Sequence, residues 1–331
     1  MRRTLLPLVP LYAFAVAGKN RAYDRGWFRQ QRLRAPVVSI GNLSVGGSGK
    51  TPLTIRLAEL LSDRGVVVDV LSRGYGRRSH QVQRVEVAGS WQDYGDEPLL
   101  VAQQAEVPVY VGASRYAAAM LAESGSPAPQ LHLLDDGFQH RQLARDLDIV
   151  VLHRSDFTEG MLPAGGLREP FSSLRRADVL VLRDEDRDLE SQLRSRGFRQ
   201  PIWWMIRRLD VPDVTSAIAF CGIARPTEFL AGLTGISIPA SRTRRDHHVW
   251  TDRDIADLLE LQRRHSAASF VTTEKDLVRL SPAQRQRLEG AAALHAVRLR
   301  VQLRDEAAIV DHLMELLAAG SRPSSGRLRL T

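Results

Sequence analysis

GNLSVGGSGKTP, residues 41–52, is the stretch that decides the fold. The apolar run VVSIG (37–41) leads into it and predicts a strand, and a helical pattern begins at Lys50. A glycine-rich loop between a strand and a helix is the context of a phosphate-binding loop, whose backbone amides bind an anion. The usual pattern, G-x-x-x-x-G-K-[ST], has a glycine where this chain has Ser44. The stretch is therefore a variant loop, and a plain glycine-rich turn is the alternative.

This loop supplies the candidate nucleotide ligands. Its glycines let the backbone approach phosphate oxygens, its lysine carries a compact positive charge, and its threonine hydroxyl is a ligand for Mg²⁺. Only three of the 46 basic residues are lysines, and one of them lies in this loop, where an arginine fork is no substitute. The predicted nucleotide-binding residues are Ser44, Val45, Gly46, Gly47, Ser48, Gly49, Lys50 and Thr51, and Thr51 is also a predicted metal ligand.

Short apolar runs alternate with helical patterns along the rest of the chain. In the first part these runs are VVVDVL (66–71), VPVYV (107–111), LHLL (131–134), DIVVLH (148–153) and ADVLVLR (177–183). Such alternation predicts an α/β fold with a parallel sheet wrapped by helices, in which ligands bind outside the carboxyl ends of the strands. The first unit is therefore a P-loop NTPase-like parallel-sheet domain.

A second, smaller α/β domain follows the strand-like run PIWWMIRRLDVPD (201–213). Its predicted strands are AIAFCGI (217–223), SFVTT (269–273) and LHAVRLRVQL (294–303), and a last helix covers 306–319. The predicted division is an N-terminal helix (1–34), the nucleotide-binding core (35–205), the smaller domain (206–320) and a disordered basic tail (321–331).

Two acids end the strand in LHLLDDGFQH (131–140). Asp135 and Asp136 stand where a strand delivers a carboxylate to Mg²⁺ beside a phosphate loop, although paired acids also occur in plain turns. Gln139 and His140 follow closely and are candidates for the same pocket. A lone histidine is more often structural than catalytic, so the sequence alone supports His140 less than the acids.

Two further segments carry candidate chemistry. In YGDEP (94–98), Asp96 is either a helix-capping residue or a carboxylate that accepts a proton from an attacking hydroxyl. In LPAGGLREP (162–170), Arg168 is either one more surface arginine or a cation that stabilises phosphoryl charge. Neither spacing decides between its two interpretations.

Three other segments place polar residues near predicted strand ends. RDHHVW (245–250) has a histidine pair whose spacing fits no usual zinc site, and a histidine that orients a carboxylate base is an equal alternative. TTEKD (272–276) contains another of the rare lysines, and SRGYGRR (72–78) suits a loop near anions.

Positive charge is concentrated at the two ends of the chain. Residues 1–34 contain eight basic residues and one acid, and the segment from Ser321 contains three arginines and no acid, out of a net charge of +8. Because the body is nearly neutral, a nucleic-acid partner is not expected, whereas a basic N-terminus suits an anionic membrane surface. The single cysteine, Cys221, excludes an intrachain disulfide.

The N-terminal segment has three interpretations. Residues 5–17 are mostly apolar and too short to span a bilayer, which requires about 20 residues. A helix in the membrane interface, anchored by Tyr12, Phe14, Trp27 and Phe28, is favoured over a helix packed on its own domain and over a signal peptide.

Taken together, the segments resemble one family, the tetraacyldisaccharide 4'-kinases, which are the lipid A kinases of Gram-negative bacteria. The resemblance covers nearly the whole chain, because the motifs occur in the family's order and spacing. They are GNLSVGGSGKTP, SRGYGR, GDEP, LLDDGFQH, LPAGGLREP, FCGIARPTEF, DHH and TTEKD. A loop that lacks the first glycine is usual in this family.

The resemblance implies transfer of the γ-phosphate of ATP to the 4'-hydroxyl of tetraacyldisaccharide 1-phosphate, forming lipid IVA. It implies ATP and Mg²⁺ as cofactors, and a monotopic protein, expected to be a monomer, at the cytoplasmic face of the inner membrane. A soluble phosphate-loop kinase of a small metabolite and a non-catalytic, nucleotide-binding membrane adaptor remain as alternatives.

The resemblance also implies roles for individual residues. The family's catalytic aspartate corresponds to Asp96 and its partner histidine to His247. The remaining implied catalytic residues are Lys50 and Arg168, the metal ligands are Thr51, Asp135, Asp136 and Glu169, and Gln139 and His140 contact the nucleotide.

Overall fold

The structure is a computed structural model that describes residues 3–320, and it has an α/β fold built around one large sheet. Within those residues the strands are β1 (Val37–Asn42), β2 (Val68–Ser72), β3 (Gln83–Arg84), β4 (Val109–Val111), β5 (Leu131–Asp135), β6 (Leu147–Val151), β7 (Val179–Arg183), β8 (Ile202–Asp210), β9 (Ser216–Cys221), β10 (Ser237–Thr243), β11 (Ser269–Thr273) and β12 (Ala293–Leu303).

Helices connect most of these strands. The α-helices are α1 (Val9–Asp24), α2 (Lys50–Asp63), α3 (Trp91–Tyr94), α4 (Asp96–Gln104), α5 (Arg115–Glu123), α6 (Asp188–Ser195), α7 (Pro226–Gly232), α8 (Asp252–His265), α9 (Glu274–Arg279), α10 (Pro282–Glu289) and α11 (Glu306–Gly320). Short 3₁₀ helices cover Arg3–Leu8, Arg154–Phe157, Phe171–Arg176 and Asp184–Asp186.

The sheet is mostly parallel, which confirms the predicted α/β fold with a parallel sheet; the P-loop NTPase-like domain and the smaller second domain stay predictions. Its strand order is β10-β9-β11-β12-β8-β7-β6-β1-β5-β2-β4-β3, and only the β8–β12 and β3–β4 pairs are antiparallel. Strand β1 lies between β6 and β5, and Ile40 is in register with Asp135. The phosphate-type loop and the two acids therefore leave the same edge of the sheet side by side.

Two strands, β3 and β10, were not predicted from the sequence, and they lie at the two ends of the sheet. Strand β10 pairs only with β9 in the described part of the chain. Its sequence contains Pro239 and has no continuous apolar run, and none of its residues is fully buried. A proline is tolerated at a sheet edge because one side of that strand makes no ladder hydrogen bonds.

The C-terminal helix packs against the first unit of the chain. Helix α11 buries its apolar face in the core cluster that contains residues of β1 and α2. The Arg56 Nη2 of α2 also lies 2.6 Å from the Glu306 Oε2 at the start of α11. The helix assigned by sequence to the smaller domain thus contacts the larger one, and a domain boundary at 205/206 stays a prediction.

We expect Leu313→Ala, in α11, to lower the free energy of unfolding by about 2–5 kcal/mol, because it leaves a cavity in this core. Leu313 is fully buried, whereas the adjacent Met314 is 42% exposed. Met314→Ala is therefore the matched control, with a change of about 0.5 kcal/mol. Denaturant unfolding of both variants measures the change in the free energy of unfolding. Equal losses of stability in the two variants would show that burial of Leu313 does not stabilise the protein.

Helix α1 keeps few of its apolar side chains inside the protein. Its buried residues are Ala22 and Tyr23, while Leu11 is 68% and Phe14 is 79% exposed. No helix formed by residues 3–320 has the length and apolar character needed to traverse a bilayer. The predicted tail, residues 321–331, lies outside the described residues.

Candidate active site

The glycine-rich loop begins where β1 passes closest to the turn after β5. A Cβ at Gly41 would overlap Phe138, so this close approach requires glycine. At its other end the loop reaches Gly49, whose φ of +99° is in the left-handed region and which directly precedes the first residue of α2, Lys50. The loop therefore presents backbone amides and the N-terminus of a 14-residue helix to one cavity.

The segment after β9 closes the loop from the other side. The Arg225 Nε donates a hydrogen bond of 2.9 Å to the Gly47 carbonyl, and a side chain at Gly46 would come within 3.2 Å of Ala224 Cβ. Arg225 lies 178 positions after Gly47, so a segment distant in sequence closes the loop.

Thr51 lines the cavity and forms a buried pair with Asp135, which lies outside the lining. The Thr51 Oγ1 lies 3.5 Å from Asp135 Oδ2, and Thr54 Oγ1 donates to Asp135 Oδ1 over 3.3 Å. Burial, followed by the negative charges of Glu97 and Asp136, raises the pKa of Asp135 to about 7. A buried carboxylate that lacks a close positive partner and is surrounded by hydroxyl oxygens suits a divalent cation. Binding of such a cation would favour the ionised form of Asp135.

Asp136 is held instead by two cations. Arg168 binds its carboxylate through both guanidinium nitrogens, at 2.9 Å and 2.7 Å, and Lys50 Nζ lies 3.6 Å from Asp136 Oδ1. Burial alone would raise the pKa of Asp136, but the charge of Lys50 and the Arg168 hydrogen bonds hold it well below its usual range. Arg168 also donates to the Asn42 side chain, which fixes its guanidinium.

Glu169 does not join Thr51 and Asp135, although the resemblance implies a metal ligand there. Its oxygens are engaged by Arg176, at 2.9 Å, and by the Asn20 amide of α1, at 2.7 Å. Its neighbour's carbonyl, Arg168 O, accepts a hydrogen bond from Tyr12 of α1. In this structure Glu169 fastens the N-terminal helix to the loop of Arg168.

Gln139 and His140 lie beyond the two acids and do not line the cavity. The Gln139 side-chain amide donates to the Asn42 carbonyl over 2.9 Å. Burial and the nearby positive charge of Arg115 lower the pKa of His140 to about 3, so this imidazole is neutral. The structure gives Gln139 a contact with the end of β1 rather than with the cavity.

Asp96 and His247 come together across 151 positions of sequence. The His247 Nδ1 lies 3.0 Å from Asp96 Oδ2, and Asp96 is the first residue of α4. Burial opposes ionisation of Asp96, but the hydrogen bond from His247 and the charge of Arg279 depress its pKa strongly. The same hydrogen bond raises the pKa of His247. His247 has a φ of +58°, a strained conformation of the kind that clusters at functional sites.

One cavity of about 1060 Å³ collects these groups. Its lining includes the loop from Val45 to Thr51 together with Asp136, Arg168 and His247. Asp96, at 4% exposed, stands behind His247. Among the described residues no group of three or more His, Cys, Asp and Glu side chains could hold a metal ion. A cation here would therefore depend on ligand oxygens in addition to Thr51 and Asp135.

Sequence reasoning left three contacts of this site without a role. Lys275 lines the cavity and pairs with Glu97, Arg279 contacts Asp96, and Arg225 contacts the loop. The rarity of lysine was the one usable signal, and it singled out Lys275. The two arginines are inconspicuous in a chain with 43 of them.

Comparison with known proteins gives a consistent result. A family model described as tetraacyldisaccharide-1-P 4'-kinase matches residues 1–318. A tetraacyldisaccharide 4'-kinase of Koribacter versatilis is 42% identical, over 94% of this chain and 98% of that protein. One of Aquifex aeolicus is 34% identical, over 92% of this chain and 96% of that protein. The crystal structure of an "apo" form of LpxK from Aquifex aeolicus, in complex with ATP, superimposes with a TM-score of 0.74 at 34% identity. That alignment covers 96% of this chain and 99% of the other.

Proposed function

Because the chain belongs to the tetraacyldisaccharide-1-P 4'-kinase family, we propose that it transfers the γ-phosphate of ATP to the 4'-hydroxyl of tetraacyldisaccharide 1-phosphate. It is a phosphotransferase of lipid A biosynthesis. One observation carries the residue-level proposal: a single cavity is lined by the phosphate-type loop and by His247, behind which Asp96 lies. Phosphoryl transfer requires positioning and charge stabilisation, and this cavity offers both.

The loop binds the ATP phosphates in this proposal. Backbone amides from Gly46 to Gly49 and the N-terminus of α2 receive the phosphate oxygens, and Lys50 and Arg168 neutralise the transferring group. Both cations contact Asp136, which holds them at the cavity wall. Asp136 thus orients the cations, and it is Asp135, beside Thr51, that we assign to the metal.

Thr51 and Asp135 would hold Mg²⁺. When bound, the ion would neutralise phosphate charge during transfer. The chain's own contribution is a buried carboxylate that Thr51 and Thr54 keep in one orientation.

The Asp96–His247 pair accepts the proton of the acceptor hydroxyl. Asp96 orients the imidazole of His247 and stabilises its positive charge. His247 is the member of the pair that lines the cavity. Since the two groups are coupled, the pair titrates as a unit. Only the pair with a free proton-accepting site assists the attack of the hydroxyl on the γ-phosphate.

A pH dependence follows from this role. Because Asp96 raises the pKa of His247 above 6.5, His247 becomes protonated, and the pair can no longer accept a proton, as the pH falls through that raised value. We expect the acid limb of kcat to lie above pH 6.5. In His247→Gln this limb disappears and kcat falls about 10²-fold or more. A wild-type limb in that variant would contradict the proposed role of His247.

We also propose that α1 places the protein, as a monomer, on the cytoplasmic face of the inner membrane. Its exposed Leu11 and Phe14 suit the acyl region of a bilayer, and the basic residues of the segment suit lipid phosphates. Tyr12 and Asn20 attach the same helix to the loop of Arg168. The headgroup of a lipid substrate could therefore reach the cavity while the acyl chains of that lipid stay in the bilayer.

We expect Leu11→Ser combined with Phe14→Ser to reduce binding to anionic phospholipid vesicles about tenfold or more. The double change removes two apolar side chains that would insert into the bilayer. ATP affinity should not change, since neither residue lines the cavity. Vesicle sedimentation and nucleotide titration measure the two properties. Val87→Ser, which removes an exposed apolar side chain elsewhere, is the control. Equal loss of both properties would contradict a membrane role and favour a structural one.

The acceptor is tested by direct competition. Phosphate transfer is measured to the tetraacylated disaccharide 1-phosphate in mixed micelles and to the same disaccharide 1-phosphate without acyl chains. Strong preference for the lipid supports the proposal. Equal turnover of the soluble sugar favours a soluble metabolite kinase, and ATP binding without transfer to either favours a non-catalytic adaptor.

A further inference from the structure

We propose that Arg279 is a positioning residue of this site, which keeps the Asp96 carboxylate ionised and fixed against His247. The inference rests on the proposed role of the Asp96–His247 pair in proton acceptance. It concerns a residue that does not line the cavity and that reaches the chemistry only through Asp96.

The contact joins two helices from different parts of the chain. Arg279 ends α9, and Asp96 begins α4, 183 positions earlier. The Arg279 Nε donates a 2.7 Å hydrogen bond to Asp96 Oδ2, and its Nη2 lies 2.5 Å from the same oxygen. The side chain of Arg279 is 1% exposed and that of Asp96 is 5% exposed. Water therefore does not screen this ion pair, and its geometry decides its effect.

Arg279 is itself held by a buried frame. Its Nη1 donates to the Gly222 carbonyl at 2.7 Å and to Asp276 Oδ1 at 3.3 Å. The same Asp276 oxygen accepts from the Gly222 amide at 2.9 Å and from the Trp250 indole at 3.1 Å. A guanidinium with backbone and side-chain partners on both sides cannot follow Asp96 if that residue moves. Arg279 therefore sets the position of the carboxylate.

This arrangement fixes both oxygens of Asp96. Oδ2 accepts from Arg279 and from His247, while Oδ1 accepts from the Glu97 amide at 2.9 Å. Without Arg279 the carboxylate would be buried with one imidazole as its main partner, a setting that favours the protonated form. A protonated Asp96 neither orients the His247 tautomer nor supports its charge.

Arg279 differs from the other charged groups near the pair. The other charged groups near the Asp96–His247 pair are Glu97 of α4, Lys275 and Asp276 of α9, and Asp246 of the loop before α8. Lys275 pairs with Glu97 and lines the cavity, so a bound ligand can reach it. Arg279 is the one cation among them in direct contact with Asp96 in the described part of the chain. Its effect therefore persists whatever occupies the cavity.

The kinetic test compares Arg279→Gln, Arg279→Lys and wild type over a range of pH. Removing the charge should move the acid limb of kcat upward by about 1–3 pH units, because Asp96 and His247 take up one proton as a unit and loss of the adjacent cation raises the pKa at which that proton binds. The KM for ATP should stay within about twofold, because Arg279 does not line the cavity. Lysine should restore part of the shift. Arg285→Gln, which removes a half-buried arginine whose guanidinium donates to the Leu277 carbonyl, is the control. A lowered kcat with an unmoved limb would overturn the inference.

A stability test covers the case in which Arg279→Gln folds poorly. An uncompensated buried Asp96 is then the expected cause, so Asp96→Asn added to Arg279→Gln should recover most of the lost stability. A double variant no more stable than the single one would show that Arg279 does not compensate Asp96. This measurement needs no substrate. It therefore decides the inference even if wild type fails to phosphorylate the lipid and the proposed function falls.

Discussion

Replacement of Lys50 by arginine is expected to lower kcat by about 10³-fold or more while the protein stays folded, as for loss of a cation at a transferring phosphoryl group. Lys50 is the first residue of α2, its side chain is 12% exposed, and Nζ lies 3.6 Å from Asp136 Oδ1. An arginine would keep the charge but would place a wide, planar fork where the structure holds a compact ammonium. It would also compete with Arg168 for Asp136.

Lys19→Arg is the matched control for this change. Lys19 is an exposed lysine of α1 that donates to the Gln139 carbonyl, a contact that arginine can also make. Both variants should unfold within a few degrees of wild type in thermal denaturation. A Lys50→Arg enzyme with kcat close to wild type would contradict the assignment of residues 44–51 as a phosphate-binding loop.

Replacement of Asp96 by asparagine should lower kcat by about 10²–10⁴-fold, the usual contribution of a positioned acid–base group. Asparagine keeps the shape of the side chain but cannot carry the negative charge that the imidazole and Arg279 contact. The KM for ATP should change little, because Asp96 lies behind the cavity wall. The effect should therefore appear in kcat and in kcat/KM alike.

Asp93→Asn controls for the loss of an acid near the same helix. Asp93 is exposed and lies three residues before Asp96. It should leave kcat within about twofold of wild type, as expected of a surface position. A rise in KM for ATP in Asp96→Asn with unchanged kcat would indicate a nucleotide-binding role instead of proton acceptance.

The part of the site that follows from the sequence is the part encoded by consecutive residues. A strand, a glycine-rich loop and a helix are local, so residues 37–64 could be interpreted from their pattern. The adjacency of Asp135 to this loop also follows, because parallel strands deliver their carboxyl ends to one edge. For these residues, periodicity and strand order suffice.

The part that does not follow depends on contacts between distant residues. The spacing in YGDEP left helix capping and proton acceptance open for Asp96, and its contacts with His247 and Arg279 could not be predicted from that segment. The family resemblance implied a metal-ligand role for Glu169, yet Arg176 and Asn20 engage its oxygens. In a chain with 43 arginines, composition cannot tell which guanidinium finds which carboxylate. Packing of helices and loops decides those partners.

The most direct test is transfer of labelled γ-phosphate from Mg-ATP to tetraacyldisaccharide 1-phosphate in mixed micelles, with the position of the new phosphate determined on the isolated product. Wild type and Asp96→Ala are measured side by side, with ATP binding recorded for both. The account predicts a lipid product labelled at the 4'-position from wild type, and strongly reduced product from a variant that still binds ATP. Undiminished transfer by the variant, or no labelled lipid from a wild type that binds ATP, would contradict it.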